Sequence, residues 1–174
     1  MALKELVEKA KNGSRKAFME IIEGIKTQMY RTALLQLHNE QDALDAVQET
    51  LVKAFSNINS LKQNQFFKTW LIRILLNECY NIRQYRSKIV PMEKESSEVD
   101  DTYPHSSINA LDMKSMLLKL DSMYREIIDL RYNHDMKLND ISNLLDIPVG
   151  TVKSRISRAH EILRKQYLEK EVWT

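Results

Sequence analysis

The chain is expected to be an all-α protein: two small helical domains joined by a flexible acidic linker, the second carrying a helix-turn-helix. Three observations predict this. Apolar residues recur at the helical spacing of about 3.6 through most of the 174 residues. Only three glycines and three prolines are present, too few for the turns of an all-β sandwich, and no glycine-rich phosphate loop can be drawn. One stretch, PMEKESSEVDDTYPHSSIN, breaks the pattern with two prolines, four serines and five acids, the composition of a tether that buries no core. The domains are therefore expected at residues 1–88 and 111–174, with 89–110 as the linker.

Taken in order, Leu3, Leu6, Val7 and Ala10 form the apolar side of a short helix that stops near Gly13. Ser14 then caps a second helix, whose Phe18, Ile21, Ile22, Ile25, Met29, Ala33, Leu34 and Leu37 predict one continuous rod to about His38. Asn39 with Asp42 has the outline of a capping box and opens a third helix with Ala43, Val47, Leu51, Ala54 and Ile58 inward. Asn59 to Gln65 reads as a polar loop, and a strongly apolar fourth helix runs from about Phe66 to Tyr85 or slightly beyond. After the tether, helical periodicity covers Leu111–Leu130, Leu138–Leu145 and Val152–Tyr167.

The formal net charge of +2 names no partner, but its distribution is uneven. Residues 67–88 hold five Lys/Arg against one acid, residues 149–168 again five against one, and residues 89–110 one against five. Two basic helices thus flank an acidic tether. His38, His105, His134 and His160 are scattered without metal-ligand spacing, and no nucleophile elbow is present, so neither an enzyme nor a metal or cofactor site is expected. Cys79, the only cysteine, lies in an apolar helix and reads as an inert core thiol. Neither a signal peptide nor a membrane span is apparent, which points to a cytoplasmic protein without a small-molecule substrate.

The sharpest motif is LNDISNLLDIPVGTVKSRISRAHEILRKQYL, residues 138–168. Leu138, Ile141, Leu144 and Leu145 face inward on a short helix, and Ile147, Pro148, Val149 and Gly150 are expected to stop it and turn the chain. Val152, Ile156, Ala159, Leu163 and Tyr167 then predict the buried stripe of a second helix. Ser154, Arg158, Glu161 and Lys165 lie opposite, with Thr151 and Arg155 to one side and Lys153 and Ser157 to the other. A basic, hydroxyl-bearing face suits the DNA major groove, where arginine donates two hydrogen bonds to guanine and lysines and hydroxyls hold phosphates.

The residues PVGTVKSRISRAHEILR resemble a conserved DNA-reading region of bacterial sigma factors, specifically the small extracytoplasmic-function group. LLKLDSMYREIIDLRY is similar to the helix that precedes it there. The resemblance implies that Thr151, Lys153, Ser154, Arg155, Ser157, Arg158 and Lys165 bind the minus-thirty-five element of promoter DNA. QDALDAVQETLVKAF resembles the helix that binds core RNA polymerase, implicating Gln41, Asp42, Asp45, Gln48 and Glu49, an acidic stripe expected on the side away from the core. FKTWLIRILLNECYNIRQYR is similar to the segment that melts and reads the minus-ten element.

In that fourth helix Arg73, Asn77, Tyr80 and Gln84 share a strip bordered by Trp70 and Asn81. Amides can read unstacked bases, aromatic rings can stack on them, and Arg73, Arg83, Arg86 and Lys88 can hold phosphates, while the resemblance implies that the 59–65 loop supplies a pocket wall. For Trp70 and Tyr80, core packing stands beside base stacking as a reading. Asn81, Gln84, Ser157 and Asp121 differ from the residues frequent at those family positions, and Lys137 is a poor cap. The resemblance further implies a membrane-associated anti-sigma factor, a stress or envelope response, and a linker that threads polymerase near the template path. A helix-turn-helix regulator with an amino-terminal sensing or dimerisation domain is the alternative.

Overall fold

The structure, a computed structural model, describes residues 3–89 and 108–171. All regular elements among the described residues are helical, and the chain divides into two compact units, residues 1–99 and 100–174. The expected linker falls largely on residues 90–107, outside the described residues.

The amino-terminal unit contains α1 (Leu3–Lys11), α2 (Arg15–Glu23), α3 (Lys26–Leu37), α4 (Glu40–Asn57) and α5 (Phe67–Ile89). Ser14 caps α2 as expected, its side chain accepting from the Ala17 N–H at 3.2 Å. The predicted single rod to His38 is instead two helices. Gly24 ends α2, and Ile25 leaves helical geometry at φ −129°, ψ −7° while staying buried. Apolar periodicity records burial, which survives a short break, so it concealed this corner; Gly24, with its low helix propensity, was the local signal. His38 closes α3 in the left-handed region at φ 54°. Asn39 then caps α4 through its Oδ1, which accepts from the Asp42 N–H at 2.9 Å.

Helices α3, α4 and α5 pack pairwise, and α1 packs on α2. The buried face of α4 is Ala43, Ala46, Thr50 and Ala54, rotated from the predicted stripe, since Val47 and Leu51 are only half-buried. Small side chains let α3 and α5 approach closely. The buried Thr50 hydroxyl is satisfied by donating to the Ala46 carbonyl at 2.7 Å. Phe18, Ile21, Met29, Phe67, Leu71 and Leu75 fill the remainder of the core.

The carboxyl-terminal unit contains α6 (Ile108–Leu118), α7 (Ser122–Ile128), α8 (Leu138–Leu145) and α9 (Val149–Glu171). The predicted Leu111–Leu130 stretch is thus broken at Lys119–Asp121, with Asp121 at the amino end of α7. Arg125 is buried, and its Nη2 donates to the Leu120 carbonyl at 2.8 Å, closing the corner where α6 ends. A wide π turn, Asp129–Asn133, continues α7 toward α8. Leu120, Ile128 and Ala159 form a core cluster against which Leu117, Tyr124, Ile162 and Leu163 pack. Lys137 precedes α8 without any side-chain capping bond, as its chemistry predicted.

Candidate nucleic-acid and protein interfaces

On α4, Gln41, Asp45, Gln48 and Glu49 are exposed, and the Gln41 amide donates to Asp45 Oδ1 at 3.0 Å. Asp42 departs from the expected outward stripe. Its side chain is 13% exposed and clasped by Arg86 of α5, whose Nη2 donates to Oδ1 at 2.7 Å while Nε lies 2.7 Å from Oδ2. Arg86, expected among the phosphate-holding cations, therefore ties the end of α5 to the start of α4. Sequence reasoning also missed three apolar residues on the outer side of α4: Leu44 at 45%, Val52 at 61% and Phe55 at 39% exposure. Their spacing from Gln48 is helical, which was the available signal. The outer face is thus an apolar strip beside an acidic one, with the Phe55 ring also packed edge-on against the buried Phe18 at 5.2 Å.

Helix α5 carries Arg73, Asn77, Tyr80, Asn81, Arg83 and Gln84 on its exposed side, with the Gln84 amide donating to the Tyr80 hydroxyl at 2.6 Å. That bond joins an aromatic ring and an amide on the exposed strip. Trp70 is half-buried, its ring 5.8 Å from that of Phe67, so one part packs while the rest borders the strip. Cys79 is buried on the opposite side. The remaining circumference is less apolar than expected, because Glu78 is buried there and accepts from Lys53 Nζ of α4 at 2.7 Å. The Glu78 hydrogen bond holds the Lys53 pKa above its usual value. The lysine's protonation is therefore coupled to folding, and its share of the stabilisation is lost as pH rises from the ordinary lysine pKa through the raised value. Glu49 lies 3.7 Å from the same ammonium.

The segment between α4 and α5 is less loop-like than its composition suggested. Two 3-10 turns, Ile58–Ser60 and Asn64–Phe66, bracket a buried Leu61. Lys11 Nζ donates to the Leu61 carbonyl at 2.6 Å and the Asn64 amide to Glu8 Oε2 at 2.6 Å, fastening the segment to α1. Lys62, Gln63, Gln65 and Phe66 remain exposed.

In the carboxyl-terminal unit the turn between α8 and α9 is made differently from the expectation. Asp146, one residue before the predicted Ile147–Gly150 turn, takes the left-handed conformation at φ 53°. Ser142 Oγ donates to the Ile147 carbonyl at 2.6 Å, and the Pro148 carbonyl accepts the Thr151 and Val152 N–H groups, so Val149 and Gly150 already belong to α9. A side chain at Gly150 would meet nothing within 4 Å, so turn geometry does not require glycine there. Lys153, Ser154, Ser157, Arg158 and Lys165 are exposed, and Thr151 and Arg155 half-buried. Tyr167, expected inward, is 54% exposed. Arg158 Nη1 donates to Glu161 Oε2 at 2.6 Å, Lys165 lies 3.9 Å from Glu169, and the Tyr132 hydroxyl is 2.9 Å from His160 Nε2.

No cluster of His, Cys, Asp or Glu among the described residues is arranged to hold a metal ion. No helix among them is long and apolar enough to cross a membrane.

Residues 21–89 match the family pattern Sigma-70 region 2, and residues 110–163 match Sigma-70, region 4. The chain is 33% identical over 183 residues to ECF RNA polymerase sigma factor SigW of Bacillus subtilis, covering 95% of this chain and 97% of that one. It is 28% identical over 174 residues to the ECF RNA polymerase sigma-E factor of Escherichia coli, covering 91% and 90%. Among solved structures, the sigma factor RpoE in complex with the anti-sigma factor NepR from Bartonella quintana superposes with a TM-score of 0.75 at 26% identity, covering 87% of this chain and 97% of that one. CnrH in complex with the cytosolic domain of CnrY gives 0.72 at 24% identity, covering 95% and 96%, a likeness of fold.

Proposed function

Because the chain belongs to the extracytoplasmic-function sigma factors, we propose that it binds core RNA polymerase and directs it to promoters by a division of labour between its two units. A regulator with an unrelated sensing or dimerisation half is thereby set aside, since the amino-terminal half matches region 2. The family consists of transcription initiation factors, not enzymes. In this reading, α9 holds minus-thirty-five duplex DNA, the exposed strip of α5 holds the opened minus-ten strand, and the outer face of α4 grips polymerase.

The observation that carries the reading is the joint exposure, on one short unit, of the acidic and apolar face of α4 and the amide-aromatic strip of α5. Such a pairing supports a reading in which an unstacked base and a large protein partner occupy neighbouring helices. Reconstituted with core polymerase on a pool of random promoters, the chain should start RNA synthesis at a defined subset without another specificity subunit. Failure to initiate at any template would defeat the proposal.

The acidic tether is the segment that would thread polymerase near the template path, its charge mimicking nucleic acid. An anti-sigma factor is a partner supported by the solved relative bound to NepR. Its anchoring at the membrane, together with a cytoplasmic location for this chain and a stress or envelope stimulus, completes the proposal. Fractionation should find the repressing partner with the membrane and this chain released from it on induction; a partner recovered only in the soluble fraction would remove the membrane anchor.

Arg158→Ala should weaken upstream-element binding by about 1–3 kcal/mol and relax preference at one base position. A uniform loss over all sequences would make Arg158 a phosphate contact instead.

A further inference from the structure

The two flanks of α9 differ in how their cations are accompanied. On one flank Arg158 and Lys165 have carboxylates beside them, Glu161 at 2.6 Å and Glu169 at 3.9 Å. On the other, Lys153, His160 and Arg164 fall on one line along the helix, all exposed, with Ser157 adjoining. Neither Lys153 nor Arg164 has an acidic partner among the described residues. From Lys153 to Arg164 the line is about 16 Å long at 1.5 Å per residue, enough to meet successive phosphates of one strand. Tyr132, exposed on the π turn, extends it sideways, its hydroxyl 2.9 Å from His160 Nε2.

We propose that the Lys153–His160–Arg164 edge, with the Tyr132 hydroxyl, is the phosphate-binding track of the upstream-element interface, and that the Arg158 flank is reserved for base edges. The assignment rests on the promoter-binding reading and divides the labour within one helix.

Charge and geometry give the reason. Glu161, three residues from both Arg158 and Arg164, turns its carboxylate to Arg158, and Glu169 approaches Lys165, so acids accompany the cations of that flank, whereas Lys153 and Arg164 are left to meet a phosphodiester unpaired among the described residues. A guanidinium accompanied by a carboxylate keeps its planar fork for a guanine edge, and the carboxylate orients it. Glu161 is thus a positioning residue for Arg158. Tyr132 supplies a neutral donor, which holds a phosphate oxygen without releasing a counterion.

The test uses holoenzyme reconstituted with core polymerase and a promoter duplex recovered from the random pool, its affinity measured across increasing potassium chloride. Lys153→Ala and Arg164→Ala should each reduce the slope of log affinity against log salt by about one, with the base preference of the pool unchanged. Arg164→Lys should keep the parental slope, separating charge from folding. Tyr132→Phe should lower affinity several-fold at every salt concentration without altering the slope. Arg158→Ala should leave the slope and alter preference at one position. Parental slopes for both alanine variants, or a changed base preference in either, would overturn the track. If the parent holoenzyme initiates nowhere, the promoter-binding reading falls first and the track falls with it.

Discussion

Replacing Asp45 and Glu49 together by lysine should abolish association with core polymerase while leaving the helical content of the chain intact. Both carboxylates are exposed on the outer face of α4, so neither supports the core, and helix propensity changes little on going from acid to lysine. The cost inside the fold is modest: Asp45 gives up the Gln41 amide, and Glu49 gives up a 3.7 Å approach to Lys53, which keeps its closer bond to Glu78. A basic partner surface would instead meet two cations in place of two carboxylates beside the apolar strip of Leu44, Val52 and Phe55, and like-charge juxtaposition costs several kcal/mol. Co-purification with core polymerase and circular dichroism read the two halves of the expectation. Retained association at unchanged helicity would refute the α4 assignment. Asp42 is left out of this variant because its clasp by Arg86 would confuse a loss of docking with a loosened α5.

Phe67→Ala should destabilise the amino-terminal unit by about 3–5 kcal/mol, the usual cost of emptying a fully buried aromatic site. Phe67 is fully buried at the start of α5, its ring 6.4 Å from Phe18 of α2 and 5.8 Å from Trp70. Removing it takes away the ring that meets both Phe18 and Trp70. Denaturant unfolding should show this loss in one transition, while a second transition, from the unit with its own core of Leu120, Ile128 and Ala159, stays in place. Promoter opening should fail before upstream binding does. Phe66→Ala is the control: that ring is exposed, and its loss should change stability by no more than about 0.5 kcal/mol. Equal effects at the two positions would show that α5 is packed otherwise.

The pair Phe66 and Phe67 marks where reading the sequence stops. Periodicity placed a helix at this point, yet either ring satisfied the pattern; only the neighbouring Phe18 selects Phe67. The same division recurs along the chain. The helical class, the Asn39 and Ser14 caps and the exposed strip Arg73–Asn77–Tyr80–Gln84 were legible, because each depends on residues within a few positions of one another. Three details were not. Asp42 looked solvated, but Arg86 reaches it from 44 residues away. Glu78 looked like an isolated acid on a basic helix, but Lys53 of α4 partners it. The turn of the helix-turn-helix was expected over Ile147–Gly150, but the left-handed residue is Asp146, with the Ser142 hydroxyl bracing the next residue's carbonyl.

By itself, then, the sequence determined that this chain is helical, where its apolar stripes lie and which helices are rich in cations, since spacing and charge are local quantities. Tertiary structure alone decided which charged groups are partnered across helices and which stay exposed, because an ion pair between two helices exists only once packing has brought their surfaces within a few ångströms.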